Sequence, residues 1–379
     1  ALPICPVTGL NIDDFGSLVE RPDAGVRRDS HDRWQRVVRP AGALGKLGEL
    51  ADWLAAVQGQ APARPVSRPK ALLFAADHGV AALKVSARPA GTAVDLVRRV
   101  LEGGSAVNVL ARQYGAQIRV VDVALAADPE DLAKNPLPPE VTAHHVRDGS
   151  GRIDIEDALT AEEAEQAFRT GMTIADEEAD SGTDLVLLGD LSVGGTTAAG
   201  VLIAALCGTD ASVVTGRGSG IDDLAWMRKC SAIRDALRRA RPVLGDQLQL
   251  LAATGGADLA ALTGFLLQAG VRKLPVVLDG VVTAAAALVA QRVAFRAPDW
   301  WLAGQASGEP GQAKALDRLS LDPLLDQGVT LGEGTGALLA LPLLQAAAAL
   351  SAELPELPEA PEASEVPEPP EAPEQPEIP

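Results

Sequence analysis

The stretch Gly332-Glu333-Gly334-Thr335-Gly336-Ala337 sets one carboxylate among three glycines, just ahead of a nearly apolar run that ends at Leu350. Glycine loops at a helix start let backbone amides approach an anion closely. A carboxylate in such a loop would repel that anion. Glu333 therefore either points to solvent or lies in a dry, glycine-lined cleft, where burial raises its pKa and fits it to receive a proton. The spacing also matches GxGxx[GA] of dinucleotide-binding loops. That match is loose: the loop lies near the end of the foldable chain rather than after the first strand of a βαβ unit, and only one Ala/Leu helix and the Glu/Pro tail follow it.

Three other segments join small residues to polar ones. In "GDLSVGGTTAAGVLIAAL" (189–206) Asp190 ends an apolar run and Thr196–Thr197 open an alanine-rich helix, whose free amides would attract phosphate or carboxylate; an ordinary N-cap reads equally well. No GK[ST] follows, so it is not a P-loop. In "TGRGSGIDDLAWMRK" (215–229) Gly216, Gly218 and Gly220 permit close approach of a ligand. Asp222 and Asp223 suit a first helical turn, as caps or more, and Lys229 two turns later can meet a phosphate or solvent. In "AGQASGEPGQAKALD" (303–317) Ser307 is a candidate phosphate donor, or part of a surface turn.

The elements that would carry these groups alternate. Short apolar runs at 71–79, 118–125, 184–190, 211–220 and 274–280 are read as strands, with helical stretches such as 92–115, 160–182 and 222–240 between them. Continuous apolar strands separated by helices predict a three-layer α/β/α protein around a mainly parallel, doubly wound sheet. Ligands then bind beyond the strands' carboxyl ends, where Asp77, His78, Asp122, Asp190, Arg217 and Asp279 fall. Residues 1–68 read as helices, with Leu44, Leu47, Leu50 and Leu54 on helical spacing, and "APARPVSRPK" reads as a linker. The expected division is a helical segment over 1–68, an α/β nucleotide-binding domain over 69–320, a catalytic loop and helix over 321–351 and a disordered tail over 352–379. The first and third segments are expected to form a smaller helical domain.

Composition excludes several classes. The formal net charge is −18, and nine of those charges are glutamates in the last 28 residues, a Glu/Pro repeat that cannot bury enough apolar surface to fold. No basic cluster interleaved with aromatics supports nucleic-acid binding. Cys5, Cys207 and Cys230 form no CxxC pair and fit a reducing compartment. His31, His78, His144 and His145 give no zinc spacing, so no metal is expected. With no signal peptide evident, and an apolar run after Gly336 of about fourteen residues against the twenty or so that a span needs, the expectation is a cytoplasmic protein without membrane contact.

The blocks "GALGKLGELA", "LLFAADHGVA", "GTDLVLLGDLSVGGTTAA", "GRGSGIDD", "PVVLDG", "SGEPG" and "LGEGTGALLALPLL" occur in this order between about residues 40 and 350. Together they resemble the nicotinate-nucleotide–dimethylbenzimidazole phosphoribosyltransferases of cobalamin lower-ligand synthesis. The resemblance implies an enzyme, with no cofactor, that moves the ribose 5-phosphate of nicotinate mononucleotide to a benzimidazole nitrogen with inversion, giving α-ribazole 5′-phosphate. It implies Glu333 as general base and Asp190, where relatives often have Glu, as the second acid. Lys229 and Ser307 fall where the family grips the 5′-phosphate, and Thr196, Gly216, Gly218, Gly332, Gly334, Thr335 and Gly336 belong to the surrounding loops. It further implies a homodimer. The chain departs from the family at Gly195 (usually Asn), at Gln305 and Gln312 (often His), at Arg88 (commonly Tyr) and at Ala90 and Arg98 (polar residues that meet the aromatic base). These changes bear on which base is accepted. A non-catalytic nucleotide-binding relative is the alternative reading, and a dehydrogenase using the GEGTGA loop is a distant third.

Overall fold

The computed structural model describes residues 11–38, 40 and 42–357. Cys5 and all but the first few residues of the Glu/Pro tail lie outside them.

Six strands form one parallel sheet: β1 (Pro69–Asp77), β2 (Gln117–Ala124), β3 (Leu185–Val193), β4 (Val276–Leu278), β5 (Trp301–Gln305) and β6 (Pro323–Leu325), in the order β2-β1-β3-β4-β5-β6. The chain leaves β1 for β2 on one side and later returns to β3 on the other, so the strand order reverses between β1 and β3. In an open α/β sheet that reversal opens a crevice at the carboxyl ends. Asp77 closes β1, Asp190 lies near the end of β3 and Asp279 follows β4.

Helices cover the sheet in chain order: α1 (Ala24–Val37), α2 (Lys46–Gln58), α3 (Ala93–Leu101), α4 (Ala106–Tyr114), α5 (Ala161–Asp180), α6 (Gly195–Cys207), α7 (Asp223–Ala240), α8 (Gln247–Thr254), α9 (Ala257–Val271), α10 (Gly280–Val293), α11 (Pro310–Leu319) and α12 (Thr335–Glu353). Their starts follow local chemistry. Thr160 and Glu163 close a capping box on α5, and Asp222 accepts from Ala225 N at the start of α7. The stretch 92–115 breaks into α3 and α4 at Gly103–Gly104. Against the sheet lie α9 and α10 on one side and α3, α4 and α12 on the other, which gives the expected three layers.

Helix α12 is apolar and long enough to cross a membrane by composition alone, yet over half of it is buried, packed on α2, α4 and β5. Gly304 makes the contact with β5 possible, since a Cβ there would come within 2.8 Å of Ala337 Cα. Of the N-terminal helices, α2 packs on α12 and α1 packs on α2. Just beyond α12, Arg33 donates to Leu354 O at 2.7 Å and Arg36 to Glu356 at 3.0 Å.

One expected strand is not a strand. Residues 211–220 form a single helical turn, Ala211–Val214, followed by the glycine loop. Four residues, three of them apolar, cannot distinguish the two states by period, and Thr215, with its hydroxyl on Ala211 O, completes the turn. Conversely β5 and β6 are strands that the sequence pattern does not announce, and β6 extends the sheet past residue 320 into the segment expected to hold only the loop and α12.

Candidate active site

At the carboxyl ends of the strands, beside Asp190 and Ser192 of β3, lies a cleft of about 510 Å³. Glu333, Asp190, Ser192, Arg88, Thr196, Gly218, Ser307 and Glu309 are among its lining residues. Segments far apart in sequence therefore converge on one space.

Glu333 is held in an uncommon conformation. Gly332, Glu333 and Gly334 all have positive φ, at +69°, +58° and +78°. For a non-glycine residue such a conformation costs energy and is kept only where its surroundings enforce it. The enforcing group is Asp279, buried at the start of α10, whose Oδ2 accepts from Gly336 N at 3.0 Å, with Gly334 N also directed to this carboxylate. The loop is further pressed on β3, where a Cβ on Gly189 would come within 2.5 Å of Gly334 N. The Glu333 side chain is mostly buried, which raises its pKa, while Arg88 and Arg99 act to lower it. Arg88 Nη2 stands 4.0 Å from Glu333 Oε1.

Asp190 and Ser192 alternate with buried neighbours along β3 and so face the cleft together. Ser192 Oγ donates to Asp190 Oδ2 at 2.7 Å. Burial pushes Asp190 up to about 7; the Ser192 hydrogen bond opposes this, and the charges of Asp258, Asp279 and Glu333 add to it. Asp279 is likewise raised, to about 6, by burial. Behind them His78 and Asp258 form a fully buried pair, Nε2 to Oδ2 3.0 Å. Burial alone would lower the His78 pKa, but Asp258 first, then Asp77 and Asp190, raise it. The pair thus lies directly behind the carboxylates of the cleft, and Asp258 favours the charged form of the imidazole.

The other end of the cleft carries Lys229. It is 1% exposed, and its Nζ donates to Thr196 Oγ1 at 2.8 Å. Burial lowers its pKa to about 8, with Glu309 opposing. The glycine loop passes beside it: a Cβ on Gly218 would sit 3.2 Å from Lys229 Nζ. Arg217, in contrast, turns away to Ile221 O and Asp223.

The expected site residues thus separate into two sets. Glu333, Asp190, Thr196, Gly218, Ser307 and Gly332 line the cleft, and Lys229 and Gly216 stand directly behind its lining. Gly334, Thr335 and Gly336 do not line it. The amides of Gly334 and Gly336 go to Asp279 and the Thr335 hydroxyl to Gly332 O, so these residues fix the loop. Of the departures, Gln305 and Gln312 are braces: Gln305 Nε2 donates to Val329 O at 2.6 Å, and Gln312 accepts from Ser307 N at 2.6 Å while donating to Gln305 O. Arg98 pairs with Asp131 at 2.6 Å, away from the cleft, and Ala90 is exposed. Ser192, Glu309 and Asp258 are given no role by the sequence motifs, and His78, expected at a strand end facing the ligand, is instead buried against Asp258. Glu309 lies in the same short loop as Ser307, which was the available signal.

A family model described as phosphoribosyltransferase matches residues 19–361, and the chain belongs to that family. Its relatives narrow the membership. Nicotinate-nucleotide–dimethylbenzimidazole phosphoribosyltransferases from Streptomyces coelicolor and Streptomyces avermitilis are 71% and 70% identical over 92% of this chain, covering 96% and 92% of their own lengths. The Mycobacterium tuberculosis protein of the same name is 49% identical over 88% of this chain and 91% of its own. The crystal structure of CobT from Thermus thermophilus superposes with a TM-score of 0.80 at 38% identity, covering 86% of this chain and 96% of that one. The chain is an enzyme of the pentosyltransferase class with the α/β fold of these relatives.

Proposed function

We propose that the cleft moves the ribose 5-phosphate of nicotinate mononucleotide to 5,6-dimethylbenzimidazole or a closely similar aromatic base, with Glu333 as general base. The observation that carries the residue assignment is that the raised, mostly buried carboxylate of Glu333 shares one cleft with Asp190 and with the Thr196–Gly218 wall in front of Lys229.

The chemistry suits these groups. The unprotonated ring nitrogen of the base attacks C1′, the C1′–N bond to nicotinate breaks, and its electron pair neutralises the pyridinium, so the leaving group needs no acid. The attacking base is left with a surplus N–H proton, which passes to Glu333. Asp190 stands where its charge can stabilise positive charge developing on the ribosyl carbon. Its pKa of about 7 divides it between charged and neutral forms near neutrality. Lys229, Ser307, Thr196 and the loop of Gly216 and Gly218 hold the 5′-phosphate. Arg88 lies beside Glu333 on the acceptor side, where a guanidinium can stack on a flat ring.

Incubation of the chain with nicotinate mononucleotide and dimethylbenzimidazole should release nicotinate and form α-ribazole 5′-phosphate in equal amounts. Binding of the nucleotide without turnover on any of a panel of benzimidazoles and purines would replace this reading with the non-catalytic one. The homodimer and the cytoplasmic location are part of the same proposal, supported by the family resemblance; sedimentation as a monomer would remove the first.

A further inference from the structure

Glu309 occupies an unexpected position for an acid. It starts α11, yet its side chain makes no cap for that helix. It reaches instead to the glycine loop, where Oε1 accepts from Gly218 N at 2.7 Å across 91 positions of sequence. Its other oxygen lies against Gly216, where a Cβ would come within 1.9 Å of it. Glycine at 216 therefore makes room for this carboxylate. Glu309 is also the charge that supports the buried Lys229 ammonium.

We propose that Glu309 is an internal competitor for the phosphate place: its carboxylate and a ligand's phosphate use the same Gly218 N–H and the same Lys229 charge, so one leaves as the other enters. This rests on the assignment of Lys229 and the 216–218 loop to the phosphate. Two anions at one amide and one ammonium repel strongly in a poorly hydrated site. Phosphate entry therefore turns Glu309 away from Gly218 and moves the loop that also carries Ser307. The exchange weakens binding of every phosphorylated ligand by the same factor, substrate and product alike, and so keeps product release fast.

The test measures binding of inorganic phosphate and of nicotinate mononucleotide by calorimetry to the full chain and to Glu309→Gln, Glu309→Ala and Lys229→Ala. Work at about pH 6.5 keeps Lys229 charged. Glutamine keeps an acceptor for Gly218 and removes only the charge; alanine removes both. Both Glu309 variants should bind inorganic phosphate about tenfold tighter or more, and the KM for nicotinate mononucleotide should fall without a rise in kcat. Unchanged or weaker phosphate binding in both would overturn the inference, since phosphate has no ribose for Glu309 to contact. Lys229→Ala separates the two claims. If it leaves phosphate binding intact, the phosphate assignment itself fails; if it weakens binding while the Glu309 variants do not tighten it, only the role of Glu309 fails.

Discussion

Ser192 and Asp190 stand two residues apart on β3, and the Ser192 hydroxyl donates to the Asp190 carboxylate across 2.7 Å. The bond is confined by Gly195, because a Cβ there would come within 2.1 Å of Ser192 Oγ. The hydroxyl fills the space in front of Gly195, so the glycine at this position and the serine three residues earlier act as one unit.

Removing the hydroxyl has a signed effect. The Ser192 bond opposes the burial that raises Asp190 to about 7. In Ser192→Ala the Asp190 pKa rises further, and the acid limb of the kcat/KM profile moves to higher pH. Gly195→Ala should act the same way by forcing the hydroxyl off Asp190. The two substitutions should then be non-additive in a double-mutant cycle. Additive effects would separate the two residues.

Glu333→Gln should lower kcat by roughly 10²–10⁴ while leaving nucleotide affinity close to that of the parent. Steady-state kinetics paired with calorimetry reads both quantities. A small loss in kcat would remove the general-base role.

Arg88 is set beside Glu333, 4.0 Å away. Burial raises Glu333, and Arg88 is the nearer of the two cations that counter it. Arg88→Gln should raise the Glu333 pKa, shifting the acid limb upward, and should raise the KM for the acceptor base more than that for nicotinate mononucleotide. Equal changes in both KM values would argue against an acceptor-side position.

Asp190 should burden stability above mild acidity. Its folded pKa of about 7 exceeds its ordinary value. The folded state therefore binds the proton more tightly, and stability falls as pH rises from about 4 to about 7. Asp190→Asn removes a buried charge, so its melting temperature at about pH 8 should exceed that of the parent, with the difference vanishing near pH 4. A variant no more stable at high pH would show that surrounding groups already compensate the charge.

The groups that bear charge or flank glycines were visible in the sequence. Glu333 sits just ahead of α12 and Asp190 near the end of β3, where residue type and position coincide, and Lys229 follows the glycine loop by two turns of α7. The partners that tune them were not visible. Glu309 meets Gly218, and Asp279 meets Gly336, only because the strands converge, and no local spacing records that. Gln305 and Gln312 look like changes in a ligand loop, yet both spend their amides bracing it. Strands of five and three residues, one opening on Pro323, are too short to show a period.

The loop bearing Glu333 is gripped from behind by Asp279 and leads directly into α12, the last helix described. A ribosome has thus delivered all six strands before the Glu333 loop can dock. During synthesis the emerging chain can assemble its sheet with the place of this loop still open, and the proposed base reaches the cleft only when α12 settles between α2 and β5.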